Sequence, residues 1–387
     1  MSRGRPAVGI VLLAAAAFLI YAYQLGDGPP SLSRDEGDLG AQAQSIAQGG
    51  RDADGGLLPL YFHIRDNQWA QPLPIYVTAL SVMAAGSSQW SLRLPSVFVA
   101  IVDIVLIYLV AQSLFDRASL PFVAAGLLAV APAHFIHGRL ALPDVYPLPF
   151  VLSWLLCMIA FVSQPGPWPA FGGALCLGIG FYASPASVLM MPAYLIVTLA
   201  IVWQVRSEPM SYVAAGSGFV VPLLILIPWF AAHYGSFRFT LGDWGLHTLA
   251  NPRDGFRYTI LSWVKVGRRS SLYWDFFSPA YLFFTRVFLS VTAIPLIYGL
   301  YRILTTLWNE VRWRVVLAGF LVAPLAAAAF DEPRAVGRAL TAVPFGVLIA
   351  AAGFDGLLGS RKMAPRLLAV VVLLLMPLQF YRFYVAP

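Results

Sequence analysis

The densest group of ionisable residues in the sequence is the segment 33–38, which reads Ser-Arg-Asp-Glu-Gly-Asp. Three carboxylates and a guanidinium stand together in a chain that is 59% hydrophobic and only 11% charged. A carboxylate held at a membrane boundary can act as a general base toward a hydroxyl group. The same acids also suit the start of a helix, with Asp35 as its cap and Glu36 favoured by the helix dipole. The segment alone leaves both interpretations open.

Two further charged pairs stand at the ends of apolar runs. Arg139 and Asp144 precede one run, and Arg334 and Arg338 precede another. Arg334 and Arg338 are four residues apart and would share one helix face, where their two guanidinium groups can bind one phosphate. The alternatives are that Asp144 caps a helix, that Arg139 reaches the headgroup region, and that the two later arginines pair with the acids just before them.

The elements that must position these groups are membrane helices. The mean hydropathy is +0.74, and apolar runs of about 20 residues recur, which is the length of a helix that crosses the bilayer. The runs are continuous rather than alternating, which excludes a β-barrel. We therefore predict an all-α polytopic membrane protein with about eleven transmembrane helices, at 8–23, 93–114, 120–136, 144–162, 171–181, 188–203, 212–230, 280–300, 315–330, 340–358 and 367–380.

Two long connections separate these runs, at 26–92 and 231–279. In the first, residues 35–48 have helical character and end at a Gly-Gly pair. The apolar stretch 74–85 is short for a span and is predicted to be an interfacial helix. Lys and Arg concentrate in alternate short connections, which indicates a cytoplasmic N-terminus. Both long connections then lie outside, together with the charged groups described above.

Acids and arginines on one external face suggest a site for an anionic lipid substrate. A carboxylate can deprotonate an acceptor hydroxyl, while arginines stabilise a leaving phosphate. The net charge of +7 is spread among the connections, so nothing indicates nucleic acid. Cys157 and Cys176 fall inside predicted spans and are interpreted as apolar residues, and no histidine pair has metal-ligand spacing. Motifs for zinc proteases, nucleotide phosphates and dinucleotides do not occur.

Five short motifs occur in the order typical of one family, over about residues 7–205. They are Asp35-Glu36, Gln71-Pro72-Leu73-Pro74, Leu92-Arg93-Leu94-Pro95-Ser96, Leu114-Phe115-Asp116-Arg117 and Arg139-Leu140-Ala141-Leu142-Pro143-Asp144. The sequence thus resembles the dolichyl-phosphate-mannose protein mannosyltransferase-like and aminoarabinose transferase-like branch of the GT-C glycosyltransferases. It departs at Gln71, where the family often has Lys, and at 183–185, where Ala-Ser-Pro replaces Thr-Lys-Gly.

The resemblance implies a GT-C-type fold, and we expect one transmembrane domain over 1–387, with external loops at 26–92 and 231–279 and no C-terminal soluble domain. It implies transfer of a monosaccharide from a polyprenyl-phosphate donor to an acceptor hydroxyl on the external face. Asp35 would be the general base, supported by Glu36 and Asp144, and the cap role then passes to Ser33. Candidates for binding the donor phosphate are Arg139, Arg334, Arg338 and Gln71. Further candidates for substrate contact are Tyr61, His63, His137, Arg268 and Arg269.

The expected partners are the polyprenyl-phosphate-linked sugar, an unknown acceptor and the lipid bilayer, taken to be a bacterial plasma membrane. No cofactor is assigned; the metal requirement is open, with a divalent cation as the candidate. A lipid flippase or secondary transporter is the alternative from another class, and it calls for inverted repeats and mid-span acids. No repeat is visible, and Asp103 is the only acid deep in a predicted span. A non-catalytic protein of the same fold is the third hypothesis.

Overall fold

The computed structural model describes residues 4–65, 68–233, 263–329 and 335–385, and the elements are numbered here over those residues. The first part contains α1 Gly4–Ala22, α2 Arg34–Gly49, β1 Phe62–Arg65, β2 Gln68–Ala70, α3 Pro72–Ala85, α4 Gln89–Leu114, α5 Leu120–Ala129, α6 Pro132–His137, α7 Leu148–Ser163, α8 Pro167–Gly180 and α9 Ser187–Gln204. The second part contains α10 Pro209–Leu223, α11 Leu226–Ala232, α12 Trp263–Asp275, α13 Ala293–Thr305, α14 Val311–Val322, α15 Leu325–Ala329, α16 Ala342–Gly359 and α17 Met363–Phe380. Short π-helical turns occupy Ala280–Phe284 and Tyr381–Val385, and 3-10 turns occupy Ser290–Thr292 and Gly337–Ala339.

Several of these helices are long and apolar enough to cross a bilayer. Within the described ranges there are five, at Gln89–Leu114, Ser187–Gln204, Val311–Ala329, Ala342–Gly359 and Met363–Tyr384. The pair α10 and α11 makes a sixth if its 43° bend is taken as one broken span. Five shorter apolar helices accompany them, at Val8–Ala22, Pro72–Ala85, Leu120–Ala129, Leu148–Ser163 and Ser290–Thr305. The chain is therefore a mostly helical integral membrane protein, as predicted, while the total of about eleven spans stays a prediction.

Four predicted spans are interrupted in the structure. The runs 212–230 and 315–330 are divided between α10 and α11 and between α14 and α15, and the breaks in the other two have a local cause. The run 120–136 is divided between α5 and α6, because Pro132 has no N–H group and its ring excludes a continuous helix. The run 280–300 is a π-helical turn, a 3-10 turn and the start of α13, with Arg286 at a φ of 62° between them. A residue in the left-handed region cannot continue a right-handed helix. Both predictions of one straight helix were wrong at these points.

The first long connection, at 26–92, forms a small folded layer, which we call the external layer after its predicted location. Its predicted helices are confirmed as α2 and α3, and α2 ends at Gly50, whose φ of 65° suits glycine. An all-α prediction missed the antiparallel hairpin of β1 and β2, in which Phe62 faces Ala70 and His63 faces Trp69. A separate apolar core joins the hairpin to the two helices, and its members are Ala43, Ile46, Phe62, Ala70, Ile75 and Ala79.

The main core is one continuous cluster that joins α1, α4, α5 and α7 to the later helices. Its closest helix crossing brings Gly299 of α13 against Gly353 of α16. A Cβ atom on Gly299 would overlap the carbonyl of Ile349, and one on Gly353 would overlap the carbonyl of Pro295. Small residues at such crossings let membrane helices approach closely.

A polar network lies inside this core. The Tyr21 hydroxyl donates to the carbonyl of Ala129 at 3.0 Å and lies 2.8 Å from His134 Nδ1. On the other side of the ring, His134 Nε2 lies 3.3 Å from Asp103 Oδ2. All three side chains are buried, and Asp103 Oδ1 has no hydrogen-bond partner among the described residues. The network joins α1, α4 and α6 below the external layer.

Candidate active site

A cleft of about 330 Å³ opens where the external layer meets the ends of the helices. Its walls come from the first turn of α2, from β2 and the start of α3, from the approach to α7, from the turn before α9, and from the 3-10 turn before α16. The polar and charged residues that line it are Asp35, Asp38, Gln71, Asp144, Ser184 and Arg338. Segments far apart in sequence thus bring three carboxylates and a guanidinium together.

The first turn of α2 holds Asp35 at the cleft. Ser33 caps the helix: its Oγ accepts from Glu36 N at 3.2 Å, and its own N–H donates to Glu36 Oε2 at 2.9 Å. This capping box shows that Ser33 caps α2, and the Asp35 side chain that follows is exposed. Asp38 lies on the same helix face three residues later and lines the same cleft.

Glu36 points away from the cleft into a buried ion pair. Arg93 Nε donates to Glu36 Oε1 at 2.9 Å, and both side chains are almost wholly inaccessible. The N–H of Ala141 donates to the same oxygen at 3.0 Å. Burial alone raises the pKa of Glu36, but the hydrogen bonds from Arg93, Ser33 and Ala141 outweigh it, so the pKa lies below its usual value. Glu36 therefore belongs with the positioning residues rather than with the catalytic ones named from the sequence.

Arg93 extends this anchor to the chain that links α1 to α2. Its guanidinium donates to the carbonyls of Leu25 at 3.2 Å, Pro29 at 2.9 Å and Ser31 at 3.2 Å. Every nitrogen of a buried guanidinium needs such partners, since an unpaired buried charge is costly. The Glu36–Arg93 pair thus ties α2, α4, the 25–31 connection and the loop with Ala141 into one unit that fixes two walls of the cleft.

Asp144 is held from two sides. His137 Nδ1 lies 2.9 Å from Asp144 Oδ2, and both side chains are partly buried. On the other side the carboxylate lies against Gly337, where a Cβ atom would overlap it. Arg338 follows directly and lines the cleft. His137, predicted as a substrate contact, is therefore placed to orient Asp144.

Gln71 stands at the position where the family resemblance expects a lysine. It precedes α3, lines the cleft and is only 4% exposed. Its Oε1 has no hydrogen-bond partner within the described part of the chain. A buried carbonyl oxygen without a partner is unusual, because its desolvation is then uncompensated. An unsatisfied acceptor therefore belongs to a side chain that lines the cleft.

The hairpin adds aromatic residues to the mouth of the cleft. Trp69 lines the cleft, and its ring lies 5.5 Å from that of His63 and 5.7 Å from that of Trp229. Tyr61 is buried against Trp229 at 4.7 Å, and burial raises the pKa of its hydroxyl. Tyr61 and His63 lie beside Trp69 and Trp229 and are not among the residues that line the cleft, whereas Trp69 is; a role for Tyr61 and His63 in substrate contact stays a prediction.

The other predicted residues that the structure describes, Arg139, Arg268 and Arg269, are not among those that line the cleft. Arg139 Nη2 donates to the carbonyl of Tyr23 at 2.7 Å, and its guanidinium covers the Phe135 ring, so it secures the end of α1 outside the cleft. Burial and the nearby Arg93 lower the pKa of Arg139. Arg268 and Arg269 lie on α12 and are not among the described residues that line the cleft. Arg334 lies outside the described residues.

Among the polar and aromatic residues that line the cleft, sequence reasoning missed three, Asp38, Trp69 and Ser184. The i, i+3 spacing of Asp35 and Asp38 on a predicted helix was a signal that both acids share one face. Nothing comparable marked Trp69, because its position depends on a hairpin that was not predicted. Within the described ranges no three His, Cys, Asp or Glu side chains are arranged to hold a metal ion.

The chain is similar to known glycosyltransferases in sequence and in fold. The family model described as dolichyl-phosphate-mannose-protein mannosyltransferase matches residues 70–231. The structure of ArnT from Cupriavidus metallidurans bound to undecaprenyl phosphate superposes with a TM-score of 0.57 at 17% identity, over 96% of this chain and 63% of that one. Its apo form gives a TM-score of 0.55 at 17% identity, over 90% and 60%.

A more distant structure shares the fold. The oligosaccharyltransferase AglB from Archaeoglobus fulgidus, in complex with an inhibitory peptide and a dolichol-phosphate, gives a TM-score of 0.55 at 12% identity, over 96% of this chain and 55% of that one. The chain thus spans about 55–63% of the length of these solved proteins. No curated protein matches it significantly in sequence. The resemblance to the GT-C branch, first drawn from five motifs, is confirmed.

Proposed function

We propose that this chain is a membrane glycosyltransferase that moves a monosaccharide from a polyprenyl-phosphate donor to an acceptor hydroxyl on the external face of the membrane. The observation that carries the proposal is the convergence of Asp35, Asp144 and Arg338 in one cleft at the helix ends. ArnT of C. metallidurans, which has a similar fold, binds undecaprenyl phosphate, and this supports a donor of that class. We further propose about eleven spans, a cytoplasmic N-terminus and a bacterial plasma membrane.

In the proposed reaction, Asp35 takes the proton of the acceptor hydroxyl while the oxygen attacks the anomeric carbon of the sugar. The new bond forms as the bond from that carbon to the phosphate oxygen breaks, and the electron pair of the broken bond leaves with the polyprenyl phosphate. Attack from the side opposite the phosphate inverts the anomeric centre. Arg338 stabilises the negative charge that grows on the phosphate, and charge-assisted hydrogen bonds of this kind are strong. Asp144, oriented by His137, directs the acceptor.

The decisive variant is Asp35→Asn, which keeps the size of the side chain but removes its ability to accept a proton. Loss of a general base lowers the rate by about 100- to 10,000-fold. The measurement is donor consumption by purified protein with a panel of polyprenyl-phosphate monosaccharides, with and without a chelator. Asp27→Asn is the matched control, since Asp27 is an exposed acid of the same external region and is not among the residues that line the cleft.

Three results separate the hypotheses. Transfer by wild type and Asp27→Asn, with little transfer by a folded Asp35→Asn, supports the proposal. Transfer by Asp35→Asn at the wild-type rate would remove Asp35 from the mechanism. If wild-type protein consumes no donor of the panel, the enzyme assignment fails in favour of a transporter, flippase or non-catalytic protein, which lipid translocation in vesicles then distinguishes.

A further inference from the structure

A group of aromatic residues stands at the mouth of the cleft, and we call it the aromatic wall: Tyr61, His63, Trp69, Trp229 and His233. Trp69 lies at its centre, with the rings of His63, Trp229 and His233 at 5.5, 5.7 and 6.0 Å. These neighbours meet Trp69 at interplanar angles of 51°, 84° and 67°, so none stacks parallel to its indole. The wall joins the hairpin to α11.

The position of Trp69 is fixed by the fold. Its strand partner is His63, and Gln42 of α2 donates to the carbonyl of His63 at 2.7 Å, which ties the hairpin to the helix that carries Asp35. A second hydrogen bond, from Ala53 N to Gln42 Oε1 at 3.0 Å, locks the orientation of that amide. Trp69 therefore has a defined place relative to Asp35, as a preorganised binding surface requires.

The cleft beside the aromatic wall has polar groups that complement the hydroxyl groups of a sugar. A pyranose ring has an apolar face of C–H groups, which packs on an aromatic ring, and an edge of hydroxyl groups, which need hydrogen-bond partners. Gln71, two residues after Trp69, offers the buried, unpartnered Oε1 described above. Asp38 adds a carboxylate to the same cleft. An aromatic face next to fixed acceptors is an arrangement suited to a sugar, and poorly suited to a bare phosphate.

We propose that the aromatic wall binds a pyranose ring, with Trp69 packed on its C–H face and Gln71 Oε1 accepting from one of its hydroxyl groups. This inference rests on the proposed function, because it places a sugar within reach of Asp35. The ring belongs either to the donor, where it is attached to the polyprenyl phosphate, or to a carbohydrate acceptor. The chemistry recognised is the same in both cases.

The test compares binding of matched ligands to wild type, Trp69→Ala and Trp69→Phe in nanodiscs. The donor arm uses undecaprenyl phosphate carrying mannose, glucose or arabinose, each against bare undecaprenyl phosphate. The acceptor arm uses the methyl glycosides of the same sugars with bare carrier present. In Trp69→Ala, loss of the indole face should raise the Kd of the sugar ligand in one arm about tenfold, which is about 1.4 kcal/mol. Trp69→Phe should retain most of the wild-type affinity. Binding of the bare carrier should not change.

Trp168→Ala is the matched control, because Trp168 at the start of α8 is 81% exposed and is not among the residues that line the cleft. Melting temperatures show whether each variant folds, and Trp69→Phe keeps the test valid if Trp69→Ala does not. An unchanged Kd in both arms would overturn the inference, and so would an equal loss for the bare carrier. Donor consumption is measured separately. If sugar is transferred but the Trp69 variants bind with unchanged Kd, only the inference about the aromatic wall fails. If the Trp69 variants bind more weakly but no sugar is transferred, only the proposed function fails.

Discussion

Asp35 and Glu36 are neighbours in sequence, yet their carboxylates have opposite environments. Asp35 is exposed and lines the cleft, whereas Glu36 is buried against Arg93. Successive residues of a helix point about 100° apart, so one of the two acids must turn inward when the other faces the cleft. The arginine that receives Glu36 lies 57 residues later, at the start of α4. The adjacent acids therefore lie in separate places: Asp35 lines the cleft, where it is proposed as the base, and Glu36 holds α2 against α4.

The Glu36–Arg93 pair makes a specific prediction about stability. In Glu36→Gln the Arg93 guanidinium is left buried without its counter-charge, and breaking such a pair costs about 3–5 kcal/mol. We expect a clearly lower melting temperature in detergent at pH 7. Glu310→Gln is the control, because the Glu310–Arg312 pair is more than a third exposed and exposed pairs contribute about 0–1 kcal/mol. Equal melting temperatures for both variants would contradict the anchoring role.

The same pair predicts the sign of a pH effect. The folded state holds the pKa of Glu36 below its usual 4.5, so its stabilisation is complete above that value. As pH falls through the lowered pKa, the folded protein must take up a proton and the stabilisation is lost. Wild type should therefore lose melting temperature below about pH 4.5 more steeply than Glu36→Gln, measured as the difference between the two curves from pH 7 to pH 3. Parallel curves would contradict this assignment.

At the scale of elements, the site depends on the 3-10 turn Gly337–Ala339. This turn brings its backbone against the Asp144 carboxylate and carries Arg338 into the cleft. A side chain at 337 would occupy the space that the Asp144 carboxylate fills, so the carboxylate would have to move. The segment before α7, with Asp144, therefore packs against the segment before α16 because Gly337 has no Cβ atom.

We predict that Gly337→Ala displaces Asp144 and lowers transfer by about 100-fold, the effect of moving a positioned group by about 1 Å. Folding should be retained, since the change lies at the edge of the cleft. The measurement is the transfer rate together with the melting temperature. Gly216→Ala is the matched control, because Gly216 lies in α10 with no atom within 4 Å of its added Cβ. Normal transfer by Gly337→Ala would contradict the arrangement of Asp144.

Local signals predicted the helices of the external layer well. The glycine pair at 49–50 was recognisable as the end of α2, because this signal acts within a few residues, whereas the local pattern first assigned the cap to Asp35 and not to Ser33. Contacts between distant residues could not be predicted in the same way. Nothing near Glu36 indicated that its partner is Arg93, and the hairpin at Trp69 depends on an apolar core shared with α2 and α3. The sequence therefore predicted that Asp35 and Asp144 belong to the site, but not the hairpin that forms part of the cleft.

For the whole molecule, the proposed orientation can be tested directly. In a variant without Cys157 and Cys176, Ala53→Cys lies in the external layer and Ala118→Cys in the turn between α4 and α5, and both positions are exposed. With a cytoplasmic N-terminus, a membrane-impermeant maleimide added to intact cells should label the cysteine at 53 and not the one at 118. Permeabilised cells, in which both should react, are the control. Labelling of the cysteine at 118 and not of the one at 53 would contradict this orientation and indicate that the cleft faces the cytoplasm.

The buried network of Tyr21, His134 and Asp103 has a consequence for biogenesis. When the Tyr21 hydroxyl donates to the Ala129 carbonyl, it can accept only from His134 Nδ1–H, and one further proton is then needed between His134 Nε2 and Asp103. The three side chains together are then electrically neutral, whichever atom holds that proton. Asp103 is made 31 residues before His134, so α4 reaches the translocon with its acid unmatched. An acid alone in hydrocarbon is costly, and the nascent bundle gains a neutral interior only when α6 arrives.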